Sequence, residues 1–137
     1  MRARSRARAW ALRVLYAWES RGETPLAAVL AEFEARRRIA PDRREYLRRL
    51  VEQVAADRDG IDDALEASLT NWRLRRLTVV DRSILRLAAA EILHFDDVPP
   101  RVSIQEALAL AERYGTDQSP RFVNGVLDAL MKRVGRA

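Results

Sequence analysis

Cysteine is absent from this 137-residue chain, and histidine occurs once, as His94. Without thiols there can be no disulfide, no thiolate zinc site and no cysteine nucleophile, and a reducing compartment is permitted. One histidine cannot build a His-based metal site or a catalytic pair that needs a second imidazole. Placed near a helix end, His94 reads as a capping or surface group. Glycine and proline number five each, and the glycines are too scattered for a phosphate-cradling loop. No apolar run approaches the roughly 18–20 residues that span a bilayer, and the arginine-rich start lacks the apolar stretch of a secretory signal. The adjacent acids Asp62-Asp63 and Asp96-Asp97 diverge by about 100° on a helix and give no converging acid–base pair. The expectation is a non-catalytic cytoplasmic protein without metal or cofactor.

Lysine is nearly missing too: Lys132 is the only one among 25 basic side chains, against 20 acids, for a formal net charge of +5. GC-rich coding accounts for arginine over lysine but not for where the charge lies. Residues 1–21 hold Arg2, Arg4, Arg6, Arg8, Arg13 and Arg21 against the single acid Glu19, so the rest of the chain is balanced. A neutral body led by a basic segment points to a polyanion, most naturally nucleic acid. At 100° per residue Arg2, Arg6 and Arg13 fall within about 40° of one another, while Arg4 and Arg8 turn toward the other edge. Guanidinium groups fork onto phosphates and stack on bases, which suits single-stranded RNA.

Apolar residues recur at helical spacing nearly throughout, and no segment alternates as a strand would. The first helix is predicted from about Ser5 to Ser20, burying Ala7, Trp10, Ala11, Val14, Leu15 and Trp18, with Gly22 as its stop. Thr24-Pro25 reads as a cap followed by proline at the first helical position. Asp42 and Glu45 have capping-box spacing after Pro41, and Gly60 marks a stop or sharp turn. Thr78 and Asp81 form another cap pair before a strongly apolar helix. A sixth helix starts between Pro99 and Ile104 and ends at Gly115 with a left-handed stop. Ser119-Pro120 opens the last helix, in which Gly125 implies close helix packing. Trp10, Trp18 and Trp72 are expected in the core. About seven short helices joined by short connections make a compact all-α bundle.

From Asn71 onward the motifs are specific: Asn71-Trp72, Arg76-Leu77, Val80-Asp81-Arg82, Ile84-Leu85-Arg86-Leu87-Ala88, Glu91, Asp97-Val98-Pro99, Glu106-Ala107 and Phe122-Val123-Asn124-Gly125-Val126-Leu127-Asp128. With the leading arginines, Ala11, Leu15-Tyr16 and Glu19, the chain resembles the NusB family of transcription antitermination factors over nearly its full length. The resemblance implies two packed three-helix bundles, with subdomains of about 1–70 and 71–137 in a single domain. It implies binding of single-stranded boxA RNA in ribosomal RNA transcripts together with the ribosomal protein NusE. Action on elongating RNA polymerase through other Nus factors follows, and some members form homodimers.

Carried over by position, the RNA-binding residues are Arg2, Arg4, Arg6, Arg8, Arg13, Gln118 and Phe122, and Gln118 stands where some relatives carry an acid. The partner-protein surface resembles Tyr16, Arg76, Asp81 and Arg82. Five phosphates engaged by such a segment would give log K a slope of roughly −3.5 against log salt on single strands. NusB-like domains also precede RNA methyltransferase domains, but these 137 residues contain no cofactor-binding segment. A DNA-binding helix-turn-helix would need exposed polar base readers, and the last two helices are too apolar for that.

Overall fold

The computed structural model describes residues 2–136. Its helices are α1 (Ala3–Ser20), α2 (Leu26–Arg36), α3 (Pro41–Ala56), α4 (Arg58–Ser68), α5 (Val79–His94), α6 (Pro100–Tyr114) and α7 (Ser119–Arg133), with one 3₁₀ turn at Leu74–Arg76 before α5. No strand occurs among the described residues, and no helix is long and apolar enough to cross a membrane.

The molecule is built around α5. Ten consecutive residues from Ser83 to Ile92 are buried, as expected for a helix surrounded on all sides, and α5 packs on α1, α3, α4, α6 and α7. On one side α1, α2 and α3 pack mutually, and on the other α6 and α7 join α5. Helix α4 packs mainly on α5 and α7 and only lightly on α3, so it associates with the C-terminal helices although it precedes residue 71. One continuous core includes Leu15, Leu47, Leu50, Ile61, Leu65, Ile84, Leu85, Ile92, Leu127 and Leu130. Each such side chain contributes roughly 1.5–3 kcal/mol on full burial.

An enclosed central helix must satisfy any charge it buries, and α5 buries two, Arg86 and Glu91. Helix α1, which runs antiparallel to it, contributes a partner to each. Glu91, 1% exposed, accepts from Arg8 Nε at 2.7 Å, Tyr46 Oη at 2.5 Å and Ser103 Oγ at 2.7 Å. Burial first, and then the Glu91 charge, push the Tyr46 hydroxyl well above its ordinary value, so it is a fixed donor. At the other end Arg86 takes a bidentate grip on Asp62 at 2.9 and 3.0 Å and reaches Glu19 at 3.3 Å.

Helix boundaries depart from the sequence expectations for local reasons. The amides of Ala28 and Val29 bond to the Pro25 carbonyl, so Pro25 itself is the N-cap of α2 and Thr24 lies outside it. Pro41 is the first residue of α3 and its N-cap is Ala40, with no side-chain cap, so Asp42 and Glu45 form no capping box. Ser119 is the first residue of α7 and its hydroxyl accepts instead from the Thr116 amide at 3.0 Å. Thr78 does cap α5, accepting from the Asp81 amide at 3.2 Å.

Gly60 lies inside α4, and the break falls at Asp57, whose φ is −130°. Gly115 ends α6 at φ −92°, not in the left-handed region. It is needed there for room, since a Cβ would come within 2.5 Å of Ser119 Oγ and 2.8 Å of the Ala111 carbonyl. Gly125 has nothing within 4 Å of where its Cβ would be, so close packing does not explain it.

Candidate nucleic-acid interface

The N-terminal arginines divide into two sets, and helical geometry decides which residue enters which. Helix α1 is regular from Ala3, so the leading segment is fixed earlier than the Ser5 start expected from sequence. Arg8 lies three residues before Ala11 and seven before Leu15, on the buried stripe. It is 5% exposed, and its guanidinium is taken up by Glu91 and, at 2.9 Å, by Glu106. The expectation that Arg8 grips RNA is corrected on that ground: it has no free face to offer a phosphate.

Arg4, one turn earlier, remains half exposed but donates to Asp97 at 3.0 Å and lies 4.5 Å above the Tyr46 ring. Asp97 also receives both Nη atoms of Arg49, at 3.0 and 2.5 Å. The Arg49 hydrogen bonds, against slight desolvation and with help from Arg4, hold its carboxyl far below the ordinary value. Arg2, Arg6 and Arg13 are exposed and make no ion pair among the described residues. They are the cationic face of α1.

The second set of expected residues converges. Gln118 and Phe122, from the turn before α7 and its first turn, line one cleft with Arg76 and Asp81 from the α5 entry. Trp72, Leu77, Thr78 and Arg121 complete the lining. The residues expected to meet RNA and those expected to meet a protein partner are therefore neighbours here. Asp81 carries a buried carboxylate oxygen, Oδ1, with no hydrogen-bond partner.

Trp72 is 58% exposed, which corrects its expected place in the core. Trp18 is buried, and Trp10 is partly buried against the core. Trp72 was missed as a surface group although Arg73, Arg75 and Arg76 beside it marked the connection as solvent-facing.

Arg82 is the other correction. Both oxygens of Glu19 hold its Nε at 3.0 Å, and its Nη1 donates to the carbonyls of Leu77, Leu74 and Arg75 at 2.8, 3.2 and 3.3 Å. It clasps the 3₁₀ turn to α1 and presents little surface to a partner. Tyr16, by contrast, is 49% exposed and lies on α1 one turn beyond Arg13. No group of three histidine, cysteine or acidic side chains that could hold a metal occurs among the described residues.

The geometry is that of a surface that sets cations beside aromatics. The NusB family model matches residues 5–132. A transcription antitermination protein NusB from Sorangium cellulosum is 42% identical over 136 residues, covering 99% of this chain and 96% of that protein. The solved structure of T. maritima NusB superposes with a TM-score of 0.85 at 38% identity, covering 94% of this chain and 90% of that one. A crystal structure of the antitermination factors NusB and NusE in complex with double-stranded RNA gives a TM-score of 0.80 at 33% identity, covering 97% and 98%. The chain belongs to the NusB family of transcription antitermination factors, which act by binding and not by catalysis.

Proposed function

We propose that this protein binds the single-stranded boxA element of nascent ribosomal RNA together with NusE, and that the pair joins elongating RNA polymerase through other Nus factors in the cytoplasm. The observation that carries the reading is the pairing pattern on α1. Arg4 and Arg8 are anchored to Asp97, Glu91 and Glu106, whereas Arg2, Arg6 and Arg13 are exposed without carboxylate partners among the described residues. Anchored arginines fix the helix so that the free ones are held in place before RNA arrives, which lowers the ordering cost of binding. The solved complex of a relative with NusE and double-stranded RNA supports the joint binding of NusE and RNA within this reading.

The cleft of Trp72, Arg76, Asp81, Gln118 and Phe122 fits the place where the two ligands meet. Phe122 offers a ring face for a base, Gln118 can donate and accept, and Tyr16, Arg76 and Asp81 face NusE. With Arg8 withdrawn and Arg4 tied, three arginines of α1 remain, and their share of the salt slope is roughly −2 on single strands.

The test is titration of the protein, with and without NusE, against boxA RNA, a scrambled strand and the boxA duplex. The reading requires tightest binding to single-stranded boxA, strengthened by NusE. Equal affinity for the scrambled strand, or preference for the duplex, overturns it.

A further inference from the structure

Sequence arithmetic assigns the whole positive excess to residues 1–21, but folding moves other arginines beside it. Arg6 and Arg13 of α1, Arg43 of α3 and Arg113 of α6 line one open groove, with Trp10 and Tyr114 as its aromatic walls and no acid in its lining. Among the described residues Arg6, Arg13 and Arg113 make no ion pair. Arg43 has only a loose one with Asp42 at 3.7 Å, and its Nε is buried without a hydrogen-bond partner.

We propose that this groove is a phosphate track that takes the RNA backbone from the exposed arginines of α1 across α3 and α6 toward the Phe122 cleft. The inference rests on the RNA-binding reading above and adds Arg43 and Arg113 to it. Four guanidiniums around one groove repel one another in the free protein, and a polyanion relieves that repulsion while the low-dielectric walls focus the field. Two of the cations are held over rings, Arg13 at 5.1 Å from the Trp10 centroid and Arg113 at 5.2 Å from that of Tyr114, so the groove sets aromatic surface beside these charges.

Its position suits a continuous path. Tyr114 lines the groove and Gln118 lines the cleft, and their separation of four residues spans at most about 14 Å of chain. A sugar-phosphate backbone, repeating charge along a line, matches an open and extended cationic groove better than a compact ligand does.

The experiment compares the wild type with the Arg43→Gln/Arg113→Gln variant. The probes are boxA RNA alone and boxA RNA with single-stranded extensions at both ends, each measured over a range of salt. Two lost phosphate contacts reduce the magnitude of the salt slope on the extended RNA by roughly 1.4. Arg43→Lys/Arg113→Lys restores the slope. A Lys132→Gln/Arg133→Gln variant, which removes two positive charges at the end of α7 outside the groove, leaves it unchanged.

An unchanged slope in the folded Arg43→Gln/Arg113→Gln variant, with the wild type binding boxA normally, overturns the track alone. So does a loss confined to NusE affinity, which would make the groove a protein surface. Failure of the wild type itself to prefer boxA overturns the RNA reading and the track with it.

Discussion

Neutralising Glu91 tests how the arginine helix is held. In Glu91→Gln the side chain keeps its size but loses the charge that faces Arg8 at 2.7 Å, and its amide nitrogen confronts at least one of the donors Arg8, Tyr46 and Ser103. Arg8 is left with Glu106 alone, which is part-exposed. Breaking a buried ion pair by removing one partner costs about 3–5 kcal/mol, because the remaining charge is stranded. Against a total stability of roughly 5–15 kcal/mol for a domain this size, that is about a fifth or more. The assay is urea unfolding followed by helical circular dichroism.

A companion variant, Arg8→Met/Glu91→Leu, removes both charges and fills the space with apolar atoms. It should lose less than the sum of the two single changes, since no charge remains buried. The Tyr46 and Ser103 hydroxyls still lose an acceptor, at about 1 kcal/mol each. A Glu91→Gln protein within about 1 kcal/mol of wild type, or a double variant as damaged as the sum, would refute the reasoning.

Asp97 has a folded-state pKa depressed below its ordinary 3.8, so its contribution is complete above about pH 4 and is lost as pH falls toward the folded value. Asp97→Asn should therefore show a smaller fall in urea midpoint than wild type between pH 5 and pH 3. Gly115→Ala forces a methyl against the Ala111 carbonyl and should cost about 1–3 kcal/mol, read as a lower midpoint. Gly125→Ala meets nothing and should raise stability by roughly 0.5–1 kcal/mol, the helix penalty of glycine.

The helices and their buried stripes were readable because apolar spacing reports directly on which face turns inward. The stripe of α1 and the largely apolar run of α5 are the clearest cases. Caps were less readable, because beside a proline the N-cap falls one or two residues from Thr24, Asp42 and Ser119, which leaves those side chains off the cap position. Arg8 could have been read as buried from its register with Ala11 and Leu15. Its partners could not, since Glu91 and Glu106 reach it only through the packing of α5 and α6 on α1.

The groove is a still plainer case. Arg113 stands in a balanced stretch of sequence and Arg43 in a basic one, with seven arginines against Asp42 and Glu45 over residues 36–49, but only tertiary proximity to Arg6 and Arg13 joins the two into one cationic surface. Gly115 holds the close contact expected at Gly125 for a similar reason, because the space around a glycine is a property of the fold.

The central claim is that exposed arginines on an anchored α1 hold the transcript through its phosphates. The direct measurement is the salt dependence of boxA RNA affinity for wild type and for Arg2→Gln/Arg6→Gln/Arg13→Gln, with helical content and urea midpoint checked alongside. The triple variant should fold normally and show a slope about 2 smaller in magnitude, with affinity reduced most at low salt. A folded triple variant that binds boxA RNA with the wild-type slope would contradict the account.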